Sequence, residues 1–141
     1  MGTGMKWRER QQEMINELNT KIFPGDPCRK IHEEYSSMDI ENKTYLQELK
    51  NRERYNPTDF DGSLIEKKKY NFLVNQAQIL NKIPGYVCRF RDNSYYAWNL
   101  NKVAEPIWYE KMLPDTTYFG SGEFIPKMIG DLKLKDGVKL I

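Results

Sequence analysis

Ser37-Met38-Asp39-Ile40-Glu41-Asn42-Lys43-Thr44-Tyr45-Leu46-Gln47-Glu48-Leu49-Lys50-Asn51-Arg52 is the stretch on which the fold turns. It reads as two β-strands joined at Asn42-Lys43, because two polar residues between apolar-containing runs are a hairpin signal, weaker than Asn-Gly. With 42 and 43 as the turn, 41 faces 44, 39 faces 46 and 37 faces 48. Directly opposed residues share a face of the sheet, and so do residues two apart on one strand. Asp39, Glu48 and Lys50 are therefore expected on one face.

Two carboxylates and an ammonium at close range have a chemical use. Paired carboxylates suit a hard divalent cation such as Mg²⁺, which prefers oxygen and keeps several waters. Such a cation polarises a phosphoryl oxygen and lowers the pKa of a bound water. A neighbouring lysine positions that water or offsets charge in the transition state. Spacing alone fits equally a solvated hairpin face carrying a weak surface ion pair, worth about 0–1 kcal/mol.

Working outward, 141 residues make one domain able to bury a core. Aromatic residues at 13% argue against disorder although 30% of the chain is charged. A net charge of +2 is too small to demand a nucleic-acid partner. No run of 18 apolar residues occurs, and the polar start Met1 to Arg8 lacks a signal-peptide core. A cytoplasmic protein without membrane contact is the expectation. Cys28 and Cys88 form no CxxC or Cys/His cluster, which speaks against structural zinc and for two reduced thiols. His32 is the single histidine and reads as a strand residue.

Residues 6–21 read as a helix, with Trp7, Met14, Leu18 and Ile22 as its apolar stripe. Residues 29–41 form a first strand, bulged near 36–37, and 44–51 a second. Residues 56–63 are a loop. Ser63 and Glu66 match a capping box for a helix over 64–81, whose stripe is Ile65, Phe72, Leu73, Gln76 and Leu80. Tyr86 to Phe90 and Tyr95 to Leu100 pair as strands across a turn at Asp92-Asn93. Residues 101–113 are ambiguous, with a short helix near 107–113, and the tail either carries a short strand near 137–141 or wraps as loop. The class is α+β, a mixed central sheet flanked by helices in the order αββαββ.

That order, with Asp39 ending one strand and Glu48-Leu49-Lys50 lying in the next, resembles the PD-(D/E)xK nuclease superfamily. The helix containing Glu66-Lys67-Lys68-Lys69-Tyr70 and the strand pair after it fit the same resemblance. It covers roughly residues 6–100, a restriction-endonuclease-like core within a single domain over 1–141, and leaves 101–141 as a C-terminal extension. The chain looks like a small stand-alone member of resolvase-like or phage type. The resemblance implies that Asp39, Glu48 and the backbone carbonyl of Leu49 bind metal and that Lys50 is the catalytic lysine. It further implies a first-helix glutamate, for which Glu13 is the choice and Glu9, Glu17 and Glu34 are rivals. Met38 stands where the fullest motif has proline, a common departure. The implied cofactor is Mg²⁺, with Mn²⁺ as substitute. The implied activity is hydrolysis of DNA phosphodiesters, and branched DNA and a homodimer come with the resolvase comparison.

Residues beside the motif are read on their own chemistry. Arg52 and Arg54 open a loop next to the site and suit bidentate phosphate contact. Lys69 borders the apolar stripe of its helix and Gln76 lies on it, so both are nucleic-acid-binding candidates. Tyr86, Phe90, Tyr95, Tyr96 and Trp98 read as core and cross-strand packing and not as base-stacking groups. Tyr55 and Phe60 are better placed to meet a base. Two other classes stay open. One is a nuclease-like fold that binds nucleic acid or a protein without catalysis. The other is an unrelated α+β protein in which Asp39 and Glu48 diverge.

Overall fold

The computed structural model describes residues 3–33, 37–114 and 123–141. Its elements are α1 (Thr3–Lys21), β1 (Arg29–Glu33), β2 (Ser37–Glu41), β3 (Tyr45–Arg52), β4 (Gly62–Glu66), α2 (Lys67–Leu80), β5 (Ile83–Phe90), β6 (Tyr95–Asn99), β7 (Tyr109–Pro114), β8 (Phe124–Lys133) and β9 (Val138–Lys139), with a 3-10 turn at Leu134–Asp136. Six strands form a mixed sheet in the order β1-β2-β3-β5-β6-β9, and three form a second sheet in the order β4-β8-β7. The fold is α+β. Within the large sheet β3 and β5 run parallel, connected through β4 and α2, and its other neighbours are antiparallel.

The inner strands of the large sheet are buried on both faces because they alternate two sets of apolar residues. Met38, Ile40, Leu49 and Val87 meet Met14, Ile15 and Leu18 of α1. On the opposite face, Leu46, Tyr86, Cys88, Phe90 and Trp98 meet Tyr70, Leu73 and Ala77 of α2 and Ile65 and Leu132 of the second sheet. Trp98 Nε1 donates to Lys133 O at 2.8 Å and ties the two sheets together. The strand aromatics are core residues, with Tyr86, Phe90, Tyr95 and Trp98 all at most 1% exposed. Cys28 and Cys88 are free thiols buried on opposite faces of the sheet.

Four sequence readings need correction. Residues 29–41 are two antiparallel strands and not one, with the register shifting between Lys30 and His32. Residues 62–66 are a strand, so the expected capping box is absent and Glu66, extended at φ −74° and ψ 137°, holds the N-cap position with no side-chain cap bond. Ser63 instead accepts a hydrogen bond from Arg52 Nε. Residues 109–114 form a strand where a short helix was expected. The buried stripe of α2 is Tyr70, Leu73 and Ala77, which leaves Phe72 and Leu80 nearly half exposed.

The hairpin itself forms, one residue later than expected. Asn42 pairs with Tyr45 and the turn is Lys43-Thr44. Asn42 Oδ1 accepts from the amides of Thr44 and Tyr45, an Asx-type turn. Asp26 clamps the turn from outside by accepting from the Lys43 amide at 2.9 Å and the Thr44 hydroxyl at 3.0 Å. The resulting register sets Asp39 directly opposite Glu48, and Ser37 opposite Lys50. A shift of two residues keeps every side chain on its face, so the expected convergence survives.

Candidate active site

Residues paired across the large sheet form one row, His32 on β1, Asp39 on β2, Glu48 on β3 and Tyr86 on β5. The row floors a cleft of about 610 Å³. One wall is α2, with Lys68, Lys69 and Phe72, and the other is the second sheet, with Leu64, Glu66, Leu113, Pro114, Lys127 and Ile129. The C-terminal extension therefore shares one side of the site with β4.

Asp39 is 6% exposed and Glu48 3% exposed, so both carboxylates need compensation. Lys69 provides most of it. Its ammonium donates to Asp39 Oδ1 at 3.1 Å and Oδ2 at 3.2 Å, and lies 3.0 Å from Glu48 Oε2. Lys50 stands 3.8 Å from the other Glu48 oxygen. Burial pulls the Lys50 ammonium below its ordinary pKa, the Glu48 charge opposes that shift and Arg52 adds to it. For Lys69 burial acts the same way, but the Glu48 and Asp39 carboxylates outweigh it and hold the pKa above the ordinary value.

Other expected site residues lie elsewhere. Arg52 is not a loop residue. It ends β3 and is spent within the protein, donating to Ser63 Oγ, Leu64 O and Tyr86 OH, each at 3.2 Å, although its side chain still borders the cleft. Arg54 is exposed beyond the strand and does not line the cleft. Gln76 is half-buried and also outside it, because the stripe of α2 is phased differently. Glu13 is exposed on a helix that packs against the opposite face of the sheet. Glu9 is exposed and Glu17 pairs with Lys21 at 3.1 Å, while Glu34 lies outside the described residues. The buried polar residue of α1 is Gln11, whose amide donates to Ser37 O at 3.1 Å. Tyr55 packs on the core against Phe90, leaving Phe60 exposed beside it.

Leu49 lies between the two site residues of β3, its side chain buried on the α1 face and its backbone in register with Met38 and Val87. Among the described residues no group of three or more His, Cys, Asp or Glu side chains gathers at metal-binding range. The pair Asp39 and Glu48 nonetheless fits a hard cation. Three of their oxygens converge on one positive centre, the Lys69 ammonium, and two protein carboxylates suit an ion that keeps several waters.

Lys127 and His32 were not legible as cleft residues. Lys127 is brought in by a β7–β8 pairing that the sequence did not announce, and it faces Glu66 at 3.6 Å. The position of His32 depends on the β1 register shift, which has no sequence mark. Family models, curated proteins and solved structures give no match to this chain. No helix among the described residues is long and apolar enough to cross a membrane.

Proposed function

We propose that this chain is a Mg²⁺-dependent nuclease of the PD-(D/E)xK kind, hydrolysing DNA phosphodiester bonds on a restriction-endonuclease-like core. The observation carrying this reading is the directly opposed pair Asp39 and Glu48, buried at the floor of a cleft with Lys50 on the same face. The order of elements adds support, since the acidic hairpin is followed by a helix and a strand parallel to β3.

In this reading Asp39 and Glu48 would each give a carboxylate to the ion, with the Leu49 carbonyl as a further ligand. A divalent cation held there would offset negative charge on the scissile phosphate and lower the pKa of a bound water. Lys50 orients the attacking water. Burial holds its ammonium below the ordinary pKa, and the Glu48 carboxylate beside it opposes that shift. Lys68 and Lys127, from opposite walls, hold the flanking phosphates as point charges. The low-dielectric cleft strengthens each of these interactions.

The test is incubation of the full chain with supercoiled, linear, single-stranded and four-way-junction DNA in Mg²⁺ or Mn²⁺. Cleavage is expected in the natural sequence and not in Glu48→Gln or Lys50→Ala. Cleavage that survives both substitutions excludes this site.

One observation favours a second reading, a nuclease-like fold that binds nucleic acid without cutting it. Lys69 bridges both carboxylates and Lys50 stands beside Glu48, so two ammonium groups balance two carboxylates without a metal. That reading predicts salt-sensitive DNA binding, from counterion release, with no metal-dependent cleavage of any substrate.

A further inference from the structure

An ammonium carries three N–H donors. Lys69 faces three carboxylate oxygens from two different strands, at 3.0, 3.1 and 3.2 Å. Among the described residues it is the one lysine that touches both acids, since Lys50 approaches only Glu48. The space it fills is the space a divalent ion would need between the same oxygens, at the shorter separation of about 2.0–2.1 Å that Mg²⁺ demands. Two cations at that separation repel strongly inside a protein.

We propose that Lys69 is the resident cation of this site, and that a divalent ion enters only by displacing its ammonium into the cleft. Only the identity of the incoming ion rests on the nuclease reading. The exchange is mechanically simple. The backbone of α2 is pinned by Tyr70, Leu73 and Ala77, so the side chain alone has to move. That side chain is 25% exposed, and the ring of Phe72, itself 46% exposed, lies 5.2 Å from the ammonium on the cleft wall. The ammonium already lies over that ring, and a cation leaving the carboxylates can keep this contact. It then joins Lys68 and Lys127 in the cleft, so metal loading raises the positive charge offered to a phosphate. Lys69 is thus a positioning residue that holds the acids together without metal and couples metal entry to anion binding.

Two measurements test this on the full chain without nucleic acid. The first is calorimetric titration with Mn²⁺ of the natural sequence and of Lys69→Met, which keeps an unbranched stem and drops the charge. Removing a charged competitor of ordinary strength tightens Mn²⁺ binding by about tenfold or more. Metal-free Lys69→Met also melts below the natural protein and gains more from saturating Mn²⁺. The second needs no variant. Amine acylation read by mass spectrometry should show Lys69 labelling faster when Ca²⁺ is saturating, while Lys82, bound to Glu41 at 2.9 Å, is unchanged. Equal or weaker Mn²⁺ affinity in Lys69→Met, or Ca²⁺-independent labelling of Lys69, overturns the proposal, as does failure of both proteins to bind Mn²⁺. Binding by the variant alone upholds it and defeats the metal-dependent reading of the natural chain.

Discussion

Arg52→Met separates a structural arginine from a phosphate-binding one. The guanidinium makes three hydrogen bonds at 3.2 Å, two to β4 and one to the Tyr86 hydroxyl. A bond to a charged group contributes about 1.5–3 kcal/mol. Three such bonds at full strength would exceed what the variant loses, because the partners keep each other. The Tyr86 hydroxyl still donates to Leu64 O at 3.2 Å, and the Ser63 hydroxyl does the same. Methionine also preserves much of the buried stem. A net loss of about 2–3 kcal/mol follows from these opposing effects. With a urea slope of about 1–3 kcal/mol/M, the midpoint falls by roughly 1–2 M. For a chain of this size the same loss lowers the melting temperature by roughly 5–10 °C. The assay is urea unfolding followed by tryptophan fluorescence, paired with DNA binding measured where both proteins are folded. An unchanged midpoint with weakened DNA binding would refute the reasoning and return Arg52 to the phosphate-contact role its sequence position first implied.

Three further outcomes follow from the same structure. The amide of Lys43 is the leading cause that holds the Asp26 carboxyl below its ordinary pKa, with Thr44 assisting. A group depressed on folding stabilises above its unfolded pKa, and that contribution is lost as pH falls through the folded value. Asp26→Asn should therefore flatten the acid limb of a stability–pH curve below about pH 4 and leave the slope near neutrality unchanged. Gly62 has φ +112° and its would-be Cβ lies 2.0 Å from Leu132 O, so Gly62→Ala strains the β4–β8 junction and should cost about 2–4 kcal/mol by chemical denaturation. Burial raises the Cys28 thiol to about 12 and also raises Cys88, so both should react with an aromatic disulfide reagent only as the chain unfolds.

The hairpin was legible because its signal is local and its parity is robust. Alternation in the stretch 37–52 set the two acids on one face even with the turn misplaced by one residue. The turn is held locally by Asn42 and from outside by Asp26, which reaches it from 17 positions upstream, and no local pattern announces that second clamp. The start of α2 was misread because Ser63 and Glu66 imitate a capping box while tertiary pairing with β8 pulls 62–66 into a strand. The β7–β8 ribbon escaped for a related reason: Pro114, Pro126 and Gly130 interrupt its apolar pattern, and its strands are specified by each other. Lys69 was read as a nucleic-acid-binding candidate bordering the stripe of its helix, but its contact with both acids requires the packing of α2 on the large sheet. Arg52 shows the converse failure, a residue with attractive chemistry that the fold consumes internally.

The central claim is that Asp39 and Glu48 hold a divalent ion beside Lys50. Its most direct test is a crystal of the full chain soaked in Mn²⁺, with the ion located by its anomalous scattering. The account predicts a peak between the Asp39 and Glu48 carboxylates, with the Lys69 ammonium moved away from them. A well-ordered site with no peak there, and Lys69 still bridging the two acids at saturating Mn²⁺, would contradict it.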